Sequence, residues 1–374
     1  YGDPDVNAAV VRRVHLGSMA TLQTEDEVKL AELLLEIHPW ADNARFTRAG
    51  GESMAVAIRI ARAFTQRDKI AVCGYHGWHD WYLAANHPVP GQEEKTDQLN
   101  GHLLPGLEPS GVPADLGGLT YTFHYNRLDE LDALIAEHGK DLAAIVMEPT
   151  RHTDPEPGFL EEVRQRCNQL QAPLIFVEIS IVWRLGLGGE HLIYGIQPDI
   201  AVFAKALVNG FAIGAVIGNR DTMQAAQSSF ISSTFWTEGV GPAAAVACVQ
   251  KMMRHDVPAH LETIGSQVMQ GWQELGSKHR LPVTASGRPE LAILAFDHPQ
   301  AAALTTLMTV RMLDRGYLAG GGFNATWAHQ PRHVTSYLQA LDEVFSEIRT
   351  AIDNDNVEAS IGGPVKHAGF ARLT

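Results

Sequence analysis

The stretch PDIAVFAKALVNGFAIGAVIG, residues 198–218, contains the pattern that decides the fold. It holds two short apolar runs, residues 200–204 and 212–218, with Lys205 directly after the first. Apolar runs without alternation are typical of strands buried on both faces of a sheet. Burial at the end of such a strand favours a neutral lysine amine, the form that makes a Schiff base with an aldehyde. Most strand-end lysines are simply exposed, so this interpretation depends on the segments around Lys205.

Comparable apolar runs stand upstream of this stretch. They lie at residues 69–73, 142–148 and 174–179, with helical patterns at 129–138 and 158–170 between them. This alternation predicts βαβ crossovers. We therefore expect an α/β fold with a mostly parallel central sheet and helices on both faces.

The C-terminal third has a different pattern, because helices dominate it. Helical periodicity covers residues 261–275, 301–315 and 337–352, and one strand pattern lies at 291–296. We expect a large domain over residues 1–254 and a smaller α+β domain over residues 255–374. The opening sequence, YGDPDVNAAV, is typical of the interior of a protein, so we also expect that an N-terminal segment is missing.

Composition argues against several classes of partner. The 374 residues carry a formal net charge of −14, which disfavours nucleic acid and anionic lipid, since both bind basic surfaces. No run of about 18 apolar residues predicts a membrane span, and no signal peptide opens the chain. Three separated cysteines in apolar surroundings indicate free thiols in a reducing compartment, and hence a cytoplasmic protein.

The segment RFTRAGGESMAVAIRIARAF, residues 45–64, places Gly50 and Gly51 just before a helix predicted to start near Ser53. Exposed amides and the positive end of the helix dipole suit a phosphate group, and glycine lets an anion approach the backbone closely. An ordinary turn before a helix explains the same glycines, and the pattern alone does not separate the two interpretations.

The segment GYHGWHDWY, residues 74–82, follows a predicted strand and so lies where ligands bind in parallel α/β sheets. Tyr75 is suited to stack on a flat ring. A metal site at His76, His79 and Asp80 is the alternative, but no further cluster of ligands supports it, and we expect no metal.

Two carboxylates end predicted buried strands, Glu148 in the 142–148 run and Glu178 in the 174–179 run. Each is either part of a site or a structural carboxylate. Residues 86–118 are rich in proline, glycine and polar residues without periodicity. They predict a long loop that shapes or gates a pocket.

Together these segments resemble the class III aminotransferases, a branch of the fold-type-I enzymes that depend on pyridoxal 5'-phosphate (PLP). The most similar subfamily is the glutamate-1-semialdehyde 2,1-aminomutase-like one. The resemblance spans roughly residues 20–370 and rests on six segments in family order. They are RFTRAGGESM (the phosphate cup, usually with Ser-Gly-Thr-Glu at its centre), YHGWHDWY, IVMEP, LIFVEISIVWR, VFAKALVNGF and SSTFWTEGVGPAAA.

The resemblance implies a role for each matching residue. Lys205 would be the catalytic lysine that bonds to the aldehyde of PLP. Glu148 and Glu178 would line the pocket. Cofactor contacts would come from Gly50, Gly51, Tyr75, His76, Glu148, Val177, Ser180 and Lys205, with Thr234 reaching the phosphate in the partner subunit. The site would be shared within a homodimer, and the substrates would be a small-molecule amino donor and acceptor.

The chain departs from the family pattern at a position that controls the electronics of the cofactor. The aspartate that pairs with the pyridine nitrogen falls on Val177, and valine cannot keep that nitrogen protonated. Loss of a charge-assisted contact at a developing charge costs about 3 kcal/mol. Other departures are the bulky residues Ser180, Ile181 and Val182, and Ala49 and Gly51 in place of hydroxyl residues in the phosphate cup.

Three functions therefore remain open. The first is a PLP-dependent aminotransferase acting on an amino acid or an amino-sugar precursor. The second is a PLP enzyme with altered chemistry, such as an aminomutase, epimerase or lyase. The third is a weakly active or cofactor-free homologue with a binding role. The sequence does not identify the substrate, because Arg184, which matches the motif arginine of the family, can equally be structural.

Overall fold

The computed structural model describes residues 2–87, 108–150, 153–181 and 183–366. The chain divides into two compact units, Gly2–His255 and the part that begins at Asp256. Most of the predicted long loop, and Val182, lie outside the described residues.

Seven strands form one sheet in the first unit. They are β1 (Asn43–Thr47), β2 (Lys69–Cys73), β3 (Thr120–Thr122), β4 (Leu142–Met147), β5 (Leu174–Glu178), β6 (Ile200–Phe203) and β7 (Gly214–Gly218). Their order across the sheet is β1-β7-β6-β5-β4-β2-β3. The strands from β6 to β3 in this order are parallel, and β7 is antiparallel to both of its neighbours. The prediction of a mostly parallel central sheet is confirmed.

Helices cover both faces of this sheet. They are α1 (Pro4–Leu16), α2 (Glu25–Ile37), α3 (Gly50–Thr65), α4 (Asp80–Leu83), α5 (Leu128–His138), α6 (Phe159–Leu170), α7 (Glu190–Tyr194), α8 (Arg220–Gln224) and α9 (Val240–Arg254). Successive residues of a strand point to opposite faces. In β5, Val177 packs with α3 and Phe176 packs with α6. Burial on both faces is why the strands read as uninterrupted apolar runs.

The second unit has a small antiparallel sheet with helices beside it. The sheet contains β8 (Val283–Arg288), β9 (Leu291–Phe296) and β10 (Gly322–Asn324), in the order β10-β9-β8. The helices are α10 (Val257–Lys278), α11 (Ala301–Asp314), α12 (Pro331–Asp353) and α13 (Val357–Ile361). The sequence pattern does not predict β8, because VTASGR is largely polar and much of the strand is exposed.

The sheet of the first unit brings several chain segments to one edge. Met147 of β4 pairs with Cys73 of β2 and with Phe176 of β5, so the carboxyl ends of these strands are level. Phe203 of β6 and Phe46 of β1 both pair with Ala215 of β7. Since β7 is antiparallel to both, β1 and β6 end at that same edge. Across the described residues, no helix is long and apolar enough to cross a membrane.

Candidate active site

Lys205 lies at the edge of the large sheet where β1, β2, β4, β5 and β6 end. It follows the end of β6 by two residues and begins a short 3₁₀ helix. Its φ is 47°, in the left-handed region that non-glycine residues rarely adopt and that is common at functional sites. Its Nζ donates a hydrogen bond to Ser180 Oγ at 3.1 Å, which links it to the end of β5. The predicted burial of Lys205 is wrong: the side chain is exposed, because the residue follows the strand instead of lying within the sheet.

The first turn of α3 approaches Lys205. The helix begins at Gly50, earlier than predicted, so both glycines of the phosphate-cup segment lie inside it. Ala49 is the N-cap and makes no side-chain capping bond. A Cβ on Gly50 would lie 3.1 Å from Ile179 Cδ1 and 3.6 Å from the Cβ of Ala204. The amides suited to a phosphate are therefore next to the residue that precedes the lysine.

The loop after β2 also contacts the start of α3. A Cβ on Gly51 would lie 3.0 Å from Cδ2 and from Nε2 of His79. Tyr75 is half-buried and packs against the apolar cluster that contains Val177. His76 is buried, with its ring edge-on to Tyr82 at 5.7 Å. In the described part of the chain, no group of three or more His, Cys, Asp or Glu side chains is arranged to hold a metal ion.

Glu148 directly follows β4 and is buried. A Cβ on Gly74 would lie 3.2 Å from Glu148 Oε2 and 3.9 Å from His76 Cε1. Glu148 and His76 therefore both lie beside Gly74, the residue that precedes Tyr75.

Glu178 does not line this edge, so that expectation is wrong. It lies on the opposite face of β5 from Val177, since adjacent strand residues alternate in direction. Its carboxylate accepts hydrogen bonds from the backbone N of Glu190 and of His191 at 3.1 and 2.9 Å, and from His191 Nδ1 at 2.7 Å. Burial alone would raise the pKa of Glu178, but its hydrogen bonds with Glu190 and His191 hold that pKa below its ordinary value. Glu178 is a buried cap of α7.

Val177 is only 2% exposed and packs in the apolar cluster beneath α3. Its aliphatic side chain has no atom that pairs with a ring nitrogen. Further along, Arg184 Nε donates to the backbone O of Ser180 at 3.1 Å, which helps to hold Ser180 Oγ beside Lys205. Ile181 is fully buried.

Thr234 begins a 3₁₀ helix, Thr234–Thr237, and is exposed. In the same turn, Trp236 Nε1 donates to Glu52 Oε1 at 3.1 Å. The other oxygen of Glu52 accepts from the backbone N of Arg48 at 2.6 Å. The threonine segment is thus attached to the first turn of α3 in its own chain.

Two residues at this edge were not assigned roles from the sequence. Ile179 lies over Gly50, and the alternation from Val177 signals that it shares the face of α3. His79, considered only as a metal ligand, contacts Gly51. Its position depends on the path of the preceding loop, which no sequence pattern specifies.

These residues fit PLP in most respects. One edge of the sheet offers an amine from Lys205, amides suited to a phosphate from the glycine-lined start of α3, and a ring surface from half-buried Tyr75. They do not fit its ring nitrogen, because Val177 stands where the family has a carboxylate. The arrangement suits the cofactor but lacks the partner that would keep its ring protonated.

The fold and the site define a fold-type-I PLP-dependent transferase. In overall structure the chain is similar to the FumI protein of Sphingopyxis sp. MTA144, with a TM-score of 0.82, 23% identity, and coverage of 94% of this chain and 82% of that one. The family model for aminotransferase class-III matches residues 1–352. The chain belongs to the class III aminotransferases, a family of PLP-dependent enzymes, as predicted.

Relatives within this family have different activities. The chain is 32% identical over 321 residues (83% of this chain, 71% of the relative) to 3-aminobutyryl-CoA aminotransferase of Cloacimonas acidaminovorans. It is 30% identical to 2'-deamino-2'-hydroxyneamine transaminase of Streptomyces kanamyceticus, over 93% of this chain and 83% of the relative. It is 28% identical to glutamate-1-semialdehyde 2,1-aminomutase of Methanothermobacter thermautotrophicus, over 93% of this chain and 85% of the relative. The family is confirmed, and these relatives do not separate the aminomutase-like subfamily from the aminotransferases.

Proposed function

We propose that this chain is a PLP-dependent aminotransferase that moves an amino group between a small-molecule donor and an acceptor. The observation that carries this proposal is the position of Lys205, held by Ser180 at the edge where α3 presents its first turn. The relatives that act on 3-aminobutyryl-CoA and on a neamine derivative, as their names state, support an amino acid or an amino sugar as the substrate class.

The residues at this edge have different roles in the proposed reaction. When bound, PLP supplies an aldehyde carbon and a conjugated ring that withdraws electrons from the substrate Cα. The amides of Gly50 and Gly51 would bind its phosphate, and Tyr75 would stack on its ring. The Nζ of Lys205 moves the proton at the substrate Cα, with Ser180 Oγ orienting that amine.

The proposal also covers the oligomeric state and the cellular location of the protein. We propose a homodimer, in which the exposed Thr234 contacts the phosphate held by the other chain. We also propose a cytoplasmic enzyme, because Cys73, Cys167 and Cys248 are buried free thiols, which suits a reducing compartment.

Absorption spectroscopy of the purified protein tests this function. We expect a visible band that borohydride removes, fixing the cofactor to Lys205. An amino donor should bleach the band and a keto acceptor should restore it. Absence of the band would favour a cofactor-free binding role. A band that no amino donor bleaches would contradict aminotransferase activity.

Val177 favours a second candidate, an aminomutase-like enzyme or another PLP enzyme with altered chemistry. Without a carboxylate partner the ring nitrogen of bound PLP would be neutral, and a negative charge at the substrate Cα would be stabilised less, by about 3 kcal/mol. Such a site favours reactions in which that charge is short-lived. Repeated turnover to product without any keto acceptor would support this candidate, whereas a single turnover that stops until an acceptor is added would support transamination.

A further inference from the structure

The first turn of α3 lacks the side chains that hydrogen-bond a phosphate. Ala49, Gly50 and Gly51 carry no hydroxyl group, and the buried hydroxyl of Ser53 already bonds to Thr47 Oγ1 at 2.6 Å and to the backbone O of Ala49 at 3.0 Å. Only backbone amides therefore remain for the anion at this helix end. The carboxylate of Glu52, in the same turn, accepts from Arg48 N and Trp236 Nε1. A phosphate at α3 therefore needs its side-chain donor from another part of the chain.

The imidazole of His79 occupies the space that Gly51 leaves. The ideal Cβ position of Gly51 is 3.0 Å from His79 Cδ2 and Nε2, and 4.0 Å from Trp78 Nε1. These distances mean that the ring of His79 lies against the Cα of Gly51, where a larger residue would place its side chain.

The backbone fixes His79 in this position. Gly77 has a φ of 109° and touches α3 directly, since a Cβ on it would lie 3.3 Å from the Cα of Gly51. His79 is the N-cap residue of α4, and its carbonyl O accepts from Tyr82 N at 2.9 Å and from Leu83 N at 3.2 Å. Within the described part of the chain, the ring nitrogens of His79 make no hydrogen bond. The backbone of His79 is therefore held in place, with the ring against the first turn of α3.

We infer that His79 donates the side-chain hydrogen bond to the phosphate of PLP that a hydroxyl residue at position 51 supplies in the family pattern. This inference rests on the proposed function, because it assumes that PLP binds at α3. Gly51 and His79 act as a matched pair: the glycine makes room and the histidine supplies the donor. His79 is a cofactor-positioning residue in this scheme.

Equilibrium titrations of the full-length apoprotein test the pair, with PLP and with pyridoxal, which has the same ring and aldehyde but no phosphate. His79→Ala should weaken PLP binding about tenfold, the effect of one hydrogen bond to a charged group, and should leave pyridoxal binding unchanged. His79→Gln, which keeps an N–H donor, should lose less. Equal loss for both ligands, or no loss for either, would overturn the inference.

A double substitution makes the test reciprocal. Gly51→Thr alone should weaken PLP binding, because its Cβ meets the ring of His79. In the His79→Ala background the same threonine has room, and it should recover most of the lost PLP affinity. Failure to recover it would count against the pair. An unmodified chain that binds neither ligand would remove the proposed function itself, whereas normal PLP binding with an unaffected His79→Ala variant would remove only this inference.

Discussion

The first turn of α3 and the end of β5 meet at one edge of the sheet, yet they differ in what they offer the cofactor. The α3 side presents two glycines beside the segment of Lys205, which suit a phosphate and an amine. The β5 side presents the aliphatic side chains of Val177 and Ile179. Backbone amides and one lysine are suited to hold a cofactor, whereas withdrawal of electrons by its ring would depend on a single carboxylate. Holding and activating the cofactor are therefore separate properties of this fold.

The largest expected effect on the transfer rate comes from substitution of Lys205, on the side of the site that would hold the cofactor. Lys205→Ala removes the amine that moves the proton at the substrate Cα, so the rate of amino-group transfer should fall by about 10²–10⁴-fold. Steady-state kinetics on the PLP-loaded protein measure it. Lys140→Ala, at an exposed lysine, is the matched control and should keep full activity. Similar losses in both variants would contradict the role of Lys205.

The next largest effect is on the β5 side. Val177→Asp supplies the missing carboxylate and should raise the transfer rate by about 10²-fold. The apoprotein should lose about 3 kcal/mol of unfolding free energy, because position 177 is buried and the new charge has no partner there. Val177→Asn introduces a side chain with nearly the same shape as aspartate but without its charge. It should share a loss of stability without the gain in rate, and an equal gain from asparagine would refute the electronic explanation.

The opposite face of β5 gives an effect on stability alone. Glu178→Gln removes the charge that caps α7, and should lower the unfolding free energy at pH 7 by about 1–3 kcal/mol. Urea denaturation of both proteins measures this difference, and the PLP spectrum should not change. Glu137→Gln, at an exposed residue, is the control.

The difference in unfolding free energy between the wild type and Glu178→Gln should depend on pH in a definite direction. The pKa of Glu178 is held below its ordinary value, so its contribution is present at neutral pH. That contribution is lost as the pH falls below about 4.5, where the unfolded chain takes up the proton first. The gap between wild type and Glu178→Gln should therefore narrow in acid. A gap that widens in acid would contradict the capping role.

The smallest expected effect is on PLP affinity, and it tests the contact between the first turn of α3 and the end of β5. Gly50→Ala places a Cβ 3.1 Å from Ile179 Cδ1, a flexible tip that can move by a few tenths of an ångström. PLP affinity should fall by roughly threefold, a cost of about 0.7 kcal/mol, while alanine partly offsets any strain through its higher helix propensity. Adding Ile179→Val removes Cδ1 and should restore the affinity. A loss that persists in the double variant would place its cause elsewhere.

Local sequence patterns predicted β2, β4, β5, β6 and β7 and the order of the motifs, because burial on both faces leaves uninterrupted apolar runs. They did not predict β1, β3, β8 and β10, which contain no such run. The same burial concealed the direction of Glu178, since no polar and apolar alternation marks which side of β5 a residue faces. Lys205 is exposed because it lies two residues beyond β6, and the apolar run does not mark where the strand ends. The position of His79 depends on the approach of Gly77 to α3, a contact between segments that a local pattern does not contain.

The pairing of β1 with β7 also determines when the site forms during folding. Thr47 of β1 pairs with Gly214 of β7, and Phe203 of β6 pairs with Ala215, so the phosphate segment and the lysine segment become neighbours through hydrogen bonds between residues far apart in sequence. Such contacts form late, because closing a long loop costs entropy before any contact repays it. A cofactor cannot bind to a half-formed edge, so it stabilises the finished fold without guiding the chain towards it. We therefore expect the chain to fold first and to bind the cofactor second.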